Sequence, residues 1–207
     1  MTSDQLKKYF DVRSRCAEVF DSIPSTNTYL KTNRRDAGTL VLAISQSAGH
    51  GQYERVFESP ASGLYMSICV DYLPGIPMTL AAANAVTDAL YSLFGLSCSV
   101  KWVNDIIANE KKLCGILSES VFCGEEFYTV IGFGLNIKKG VLSDGLSSIA
   151  ISLEELLEDA LPEDTVGALA CEIADNLERE LTLGADIIFE RYKSRCVTEI
   201  PENALVL

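Results

Sequence analysis

The sequence has little positive charge and little histidine. Lysine and arginine total 17 residues against 29 aspartate and glutamate residues, so the net charge is −12, and there is a single histidine. Nucleic-acid binding requires clustered basic side chains, and the segment before residue 16 is too short for a DNA-binding module. The scattered cysteines form no CxxC pair, which argues against a Cys/His zinc site. We therefore expect neither a nucleic-acid partner nor a zinc-dependent fold.

Long apolar runs are also missing. The apolar stretches are short and interrupted by polar residues, so we expect no membrane-spanning helix. The N-terminal stretch, MTSDQLKKYFDVRSRC, lacks the apolar centre of a signal peptide. These two features predict a cytoplasmic protein with no membrane partner.

The apolar periodicity that is present predicts an α+β fold. Strand-like runs occur at 16–20, 39–45 and 63–72 and in SCSVKWVN, KKLCGILSESV and FYTVIGFGLNI. Helical patterns occur at 1–14, 27–35, 79–93, 152–160 and 164–193. We expect Thr79 to cap the third helix, Gly95 to end it, and NDIIANE and CGEE to be turns of a meander. The whole pattern predicts a mixed, mostly antiparallel sheet with helices packed on one side.

Three clusters of polar residues stand out from their apolar surroundings. They are Ser25-Thr26-Asn27, the segment from Gln46 to Gly51, and a group made of Lys101, Asn104, Asp105, Lys111 and Lys112. Taken singly, they are a helix N-cap, a flexible glycine loop and a charged hairpin. GFGLNI, at 132–137, is not a dinucleotide fingerprint, because it ends a strand and lacks a third glycine. Glycines inside a strand instead indicate close approach of backbone or ligand.

In their order along the chain, these pieces resemble the catalytic domain of biotin protein ligases. The motifs are STN, Q-x-A-G-x-G, F-x-S-P-x-x-x-L-Y-x-S, K-W-x-N-D, K-K-L-x-G-I-L-x-E and G-x-G-x-N. The most specific of them is KW-x-ND followed by KL-x-GIL. The resemblance covers 16–137 and extends more loosely to 195. It implies a catalytic domain at 1–195 and, at 196–207, a short remnant in place of the small β-barrel that many members carry.

The resemblance implies an ATP-dependent ligase. Members of this family join biotin to ATP to form biotinyl-adenylate, then transfer biotin to a lysine of the biotin carboxyl carrier domain of a biotin-dependent carboxylase. By resemblance, Lys112 bridges the biotin carboxylate and the phosphate, Asp105 helps to hold Mg²⁺, and Asn104 lies beside it. Cations are needed where two anions meet, and Mg²⁺ suits few protein carboxylates plus phosphate oxygens.

The resemblance also implies a biotin pocket. Ser25, Thr26 and Gln46 match the urea-binding positions of the family, and their hydroxyl and amide groups suit that role. Three glycines, Gly115, Gly132 and Gly134, are expected to let strands run close beneath the ligand. The other substrate-binding residues implied by the resemblance are Asn27, Gly49, His50, Gly51, Gln52, Lys101, Trp102 and Asn136.

Two departures from the family pattern leave alternatives open. A loop that usually has the form GRGRxGR reads GHGQYER at 49–55, where only Arg55 keeps its charge. The segment TEIPENALVL is expected to supply one strand at most in place of the barrel. One alternative is a catalytically impaired protein that binds biotin. The other is a lipoate- or octanoate-type acyl transferase on the same fold. An exposed sheet edge would also allow a homodimer.

Overall fold

The computed structural model describes residues 1–123, 126–141, 143 and 145–201. The strands are β1 (Ala17–Ile23), β2 (Leu40–Gln46), β3 (Gly63–Asp71), β4 (Ser99–Lys101), β5 (Asp105–Ala108), β6 (Lys111–Cys123) and β7 (Glu126–Asn136). The helices are α1 (Ser3–Val12), α2 (Thr26–Thr32), α3 (Met78–Phe94), α4 (Leu153–Leu157), α5 (Thr165–Glu180) and α6 (Ala185–Lys193). A short 3₁₀ turn spans Gln52–Glu54.

The strands form one mixed sheet in the order β1-β2-β3-β7-β6-β5-β4. β1 and β2 are parallel, with Ala17 opposite Leu40. The pairs from β2 across to β4 are antiparallel. A parallel pair needs a crossover connection, and α2 provides it between β1 and β2. The predicted α+β class with a mixed, mostly antiparallel sheet is confirmed.

Alternating side chains of the strands bury two apolar clusters on opposite faces of the sheet. On β2, Leu40 and Leu42 join the large core that contains residues of α1, α3, α5 and α6. Between them, Val41 points to a smaller cluster with Leu30 of α2. The longer helices thus share one face, as predicted, whereas α2 packs on the other. Because α2 is short, it covers only part of that face.

Two helix boundaries differ from the sequence prediction. Pro77 is the N-cap residue of α3 and makes no side-chain capping bond, so Thr79 lies inside the helix instead of capping it. The helix predicted at 164–193 is two helices, α5 and α6, and Gly184 with extended backbone is the N-cap residue of α6. The C-terminal stop of α3 is confirmed, since Gly95 has a left-handed conformation with φ 68°.

The hairpin that begins at Lys101 also differs in detail. The sequence pattern predicts a turn for NDIIANE, but this segment contains strand β5. The reversal itself occurs at Asn109 and Glu110, both of which have positive φ. Part of CGEE lies outside the described residues. Among the residues that are described, no helix is long and apolar enough to cross a bilayer.

Candidate active site

A cleft of about 1030 Å³ opens on the face of the sheet that α2 covers only in part. The three polar clusters predicted from the sequence meet in this cleft, although they lie far apart along the chain. The predicted site residues that line it are Ser25, Thr26, Asn27, Gln46, His50, Gly51, Gln52, Lys101, Asn104, Asp105, Lys112, Gly115, Gly132, Gly134 and Asn136.

One end of the cleft is a set of hydrogen-bonding side chains at the start of α2. Ser25 caps this helix, because its hydroxyl accepts from the Thr28 backbone N–H at 3.3 Å. The backbone N–H of Thr26 donates to Gln46 Oε1 at 2.8 Å, and Gln46 Nε2 donates to Ser59 at 2.9 Å. These bonds fix the Gln46 amide, and its second N–H hydrogen is available to a ligand.

Asn27 is nearly fully buried and bonded at both ends of its amide. Its Oδ1 accepts from the Ser67 hydroxyl at 2.5 Å, and its Nδ2 donates to Glu119 Oε2 at 2.9 Å and to the Leu117 carbonyl at 3.3 Å. Both amide hydrogens are thus used by the protein. The sequence analysis missed Ser67 and Glu119 as site residues, although both belong to the quoted motifs.

Glu119 is a partly buried carboxylate with three cationic or polar neighbours, Lys31, His50 and Asn27. Its Oε1 lies 2.6 Å from the Lys31 ammonium, and its Oε2 lies 4.0 Å from His50 Nε2. Burial acts to raise the pKa of this carboxyl, but hydrogen bonds from Lys31 and Asn27 outweigh it and lower the pKa below its ordinary value. Glu119 is therefore ionised at neutral pH.

Glycines in β6 and β7 allow side chains to lie directly on the sheet. A Cβ at Gly132 would stand 2.8 Å from Cγ of Asn27, and one at Gly134 would stand 2.5 Å from the Phe57 ring. Real Cβ atoms do not approach other heavy atoms so closely. The predicted approach of a ligand to these glycines stays a prediction, and the groups that lie on them in this structure are the side chains of Asn27 and Phe57. Phe57 lines the cleft and is not among the site residues predicted from the sequence.

In the middle of the cleft, the Lys112 ammonium lies 2.7 Å from Asp105 Oδ1. β5 and β6 are antiparallel with an irregularity between Ile106 and Ile107, and this register brings the two side chains together. Both side chains are about one third exposed, at 34% for Lys112 and 27% for Asp105. The ammonium also lies 5.7 Å from the centroid of the Phe57 ring.

Two of the predicted site residues, Asn104 and Asn136, donate side-chain hydrogen bonds to backbone carbonyls near the Lys112–Asp105 pair. Asn104 Nδ2 donates to the Ile116 carbonyl at 2.7 Å, which ties the turn before β5 to β6. Asn136 Nδ2 donates to the Ile151 carbonyl at 3.2 Å and to the Lys112 carbonyl at 3.4 Å. Both residues line the cleft, and these bonds hold the hairpin that carries Lys112.

Two predicted substrate-binding residues, Trp102 and Gly49, are not among the residues that line the cleft. The Trp102 ring makes an edge contact with Tyr192, with centroids 5.8 Å apart. Gly49 faces a smaller adjoining depression, where a Cβ would stand 2.5 Å from the Ser59 hydroxyl. Gly49 thus lies close against Phe57 and Ser59, which follow it in the same loop.

Residues after α6 form part of the cleft wall. The Val197 backbone N–H donates to the Val100 carbonyl at 2.9 Å, and Thr198 Oγ1 accepts from the Trp102 backbone N–H at 2.8 Å. The segment therefore continues the sheet beside β4. Val197 and Thr198 line the cleft, although no sequence signal marked them.

The side chains of the cleft suit a metal ion that is bound jointly by the protein and a phosphate better than one that is bound by protein ligands alone. In the described ranges there is no group of three or more His, Cys, Asp or Glu residues that could hold a metal ion. Mg²⁺ commonly takes one or two carboxylates and completes its shell with phosphate oxygens and water. Asp105 is a carboxylate of this kind that lines the cleft, so the donor set fits a Mg²⁺ ion shared with phosphate oxygens.

Comparison with known proteins identifies the family of the chain. The chain belongs to the biotin/lipoate A/B protein ligase family, whose sequence model matches residues 19–136. The bifunctional ligase/repressor BirA of Bacillus spizizenii is 36% identical over 148 residues, which are 67% of this chain and 45% of that protein. The chain thus spans less than half the length of this curated relative.

Two solved structures share the fold. The biotin protein ligase of Aquifex aeolicus, in complex with biotin and ATP, superposes with a TM-score of 0.76 at 23% identity, covering 88% of this chain and 79% of that chain. The biotin acetyl coenzyme A carboxylase synthetase of Helicobacter pylori, with bound biotinylated ATP, gives a TM-score of 0.65 at 26% identity, covering 86% and 79%.

Proposed function

We propose that this chain is a biotin protein ligase that forms biotinyl-adenylate from biotin and ATP and transfers biotin to a lysine of a carrier domain. The observation that carries the proposal is the pairing of Lys112 and Asp105 at 2.7 Å in the same cleft as Gln46. Membership of the family and the names of the related ligases support it.

The first half-reaction joins the biotin carboxylate to the α-phosphate of ATP. A carboxylate oxygen bonds to the α-phosphorus, the bond from that phosphorus to the oxygen bridging the β-phosphate breaks, and pyrophosphate leaves with the bonding electrons. The carboxylate and the α-phosphate are both anions, so a cation must lie where their charges meet. The Lys112 ammonium suits this role, because its side chain lines the cleft, is 34% exposed and has Asp105 as its carboxylate partner among the described residues. Asp105 orients the ammonium and would hold Mg²⁺, which would neutralise phosphate charge when bound.

Biotin would occupy the end of the cleft nearest α2. The hydroxyls of Ser25 and Thr26 and the Gln46 amide supply donors and acceptors for the urea group. Apolar contact would come from Phe57 and Leu117, which line the same cleft. A small number of polar groups in an otherwise apolar pocket is the usual arrangement for such ligands.

The carrier lysine would attack the adenylate in the second half-reaction. The amine nitrogen forms an amide bond with the biotin carbonyl carbon, AMP leaves with the bonding electrons, and the amine releases a proton. Catalysis is assigned to 1–195, as the resemblance implies. The next residues also contribute, since Val197 and Thr198 form part of the cleft wall.

The test is incubation of the protein with biotin, Mg²⁺ and α-labelled ATP, followed by separation of labelled biotinyl-adenylate. We expect labelled adenylate from biotin, and transfer of biotin to a purified carrier domain. Tight biotin binding without adenylate would contradict ligase activity. Adenylate formed from lipoate or octanoate but not from biotin would assign the chain to the other branch of the family.

A further inference from the structure

Glu119 stands behind the proposed biotin end of the cleft and does not line it. It lies on β6 opposite Val130 of β7, on the same face as α2. Its two carboxylate oxygens have different partners: Oε1 lies 2.6 Å from the Lys31 ammonium, and Oε2 accepts a hydrogen bond from Asn27 Nδ2 at 2.9 Å. One carboxylate thus ties two consecutive turns of α2 to the sheet.

An ordinary surface ion pair would account for the contact of Glu119 with Lys31 but not for its contact with Asn27. Partly exposed pairs contribute little to stability, so the bond to Lys31 alone would suggest no role. The bond to Asn27 differs, because Asn27 is only 4% exposed and lies directly on Gly132. A buried amide N–H without an acceptor is costly, so the Asn27 amide depends on the Glu119 oxygen.

The carboxylate also determines which way the Asn27 amide faces. An ionised carboxylate only accepts hydrogen bonds, so Nδ2 must face Glu119 and Oδ1 must face Ser67. The Ser67 hydroxyl lies 2.5 Å from this oxygen and 2.7 Å from Thr26 Oγ1. When Ser67 donates its one hydrogen to Asn27, the 2.7 Å contact with Ser67 requires the Thr26 hydroxyl to donate to Ser67, and Thr26 Oγ1 can then accept a hydrogen bond from a ligand.

We propose that Glu119 is a positioning residue for the acid substrate: it fixes the Asn27 amide and the start of α2, and so sets biotin affinity without touching biotin. The inference rests on the proposed function. It predicts a split between substrates. Glu119 hydrogen-bonds Asn27 at 2.9 Å and Lys31 at 2.6 Å, whereas its contact with His50 of the 49–55 loop is long, at 4.0 Å. Among the described residues, it pairs with neither Lys112 nor Asp105. Affinity for biotin depends on Glu119, and affinity for ATP does not.

The test compares Glu119→Ala, Glu119→Leu and Glu119→Gln with the wild-type chain. Biotin Kd is measured by calorimetry, and KM for biotin and for ATP in the adenylation assay. We expect Glu119→Ala and Glu119→Leu to weaken biotin binding by about tenfold or more, the scale of a lost hydrogen bond to a charged group. Glu119→Gln keeps an acceptor oxygen for Asn27 and should retain most of the affinity. KM for ATP should change less than about twofold.

Glu154→Ala is the matched control. Glu154 forms a comparable ion pair with Lys138 at 3.0 Å, away from the cleft lining. This variant should keep wild-type biotin affinity. Thermal unfolding identifies any variant that fails to fold, and Glu119→Leu carries the test if Glu119→Ala does so, because leucine fills a similar volume.

A second readout is independent of ligand binding. The side-chain NH₂ signals of Asn27, assigned by their loss in Asn27→Ala, should move in Glu119→Leu and stay in place in Glu154→Ala. Wild-type biotin affinity in both Glu119→Ala and Glu119→Leu would overturn the inference. If the wild-type chain binds no biotin, the proposed function fails, and the positioning role then depends on the Asn27 signals alone: movement supports it and unchanged signals overturn it.

Discussion

The Lys112 ammonium and the Asp105 carboxylate meet 2.7 Å apart on neighbouring strands, and both side chains face the cleft that contains Gln46. This contact is partly exposed, so its contribution to stability is small. Its importance lies in placing one cation and one anion beside the space where two anionic substrates would react. The pair is therefore the first target for mutation.

Lys112→Met should lower biotinyl-adenylate formation by about 100-fold or more, since a cation at the developing charge is lost. The assay is single-turnover formation of labelled adenylate, with biotin affinity measured separately. Lys138→Met is the control, because Lys138 pairs with Glu154 at 3.0 Å and does not line the cleft. An undiminished rate for Lys112→Met would remove Lys112 from the mechanism.

Arginine introduced into the 49–55 loop should strengthen adenylate retention. His50 and Gln52 line the cleft, and a charge-assisted hydrogen bond to phosphate contributes about 1.5–3 kcal/mol. The double substitution His50→Arg and Gln52→Arg should raise adenylate yield by about tenfold or more. Val12→Arg adds the same kind of charge at an exposed position of α1 and should have no effect. The phosphate assignment of this loop is wrong if the double variant shows no gain.

Gly132→Ala should destabilise the protein and weaken biotin binding together. The added Cβ would stand 2.8 Å from Cγ of Asn27, so either the strand or the start of α2 must shift. Overpacking of this kind costs about 1–3 kcal/mol of unfolding free energy, measurable by urea denaturation. Gly145→Ala is the control, since its Cβ would meet nothing within 4 Å. Equal unfolding free energies for the two variants would contradict the packing described here.

The contribution of Glu119 to stability should decrease as the pH falls. Its pKa is lowered in the folded state, so the unfolded chain binds this proton more tightly. The stabilisation is present above the unfolded pKa of about 4.3 and is lost as pH falls through the lower folded value. The difference in melting temperature between wild type and Glu119→Gln should therefore be constant near pH 7 and shrink in acid. A difference in melting temperature that grows in acid would show that folding raises the pKa of Glu119 instead of lowering it.

The order of the motifs by itself determined much of the fold and the proposed chemistry. Ser25, Thr26, Gln46, Asp105 and Lys112 follow from the sequence pattern alone, because hydroxyl, amide, carboxylate and ammonium groups at those positions match the motifs of a known family. The space above the strand glycines also follows from their place in the sequence, because a residue without a Cβ inside a strand leaves room for a close neighbour. Which side chains lie in that space, Asn27 and Phe57, is a feature of the tertiary structure.

Other features depended on contacts between distant parts of the chain. Asn27 meets Glu119 from a position 92 residues away in the sequence, and Asn84 in α3 meets Glu180 in α5 from 96 residues away. The sequence pattern did not show that Trp102 packs against Tyr192 or that Val197 continues the sheet beside β4. Only the tertiary structure decided these, because hydrogen bonding and close packing depend on distances in space that local periodicity does not encode.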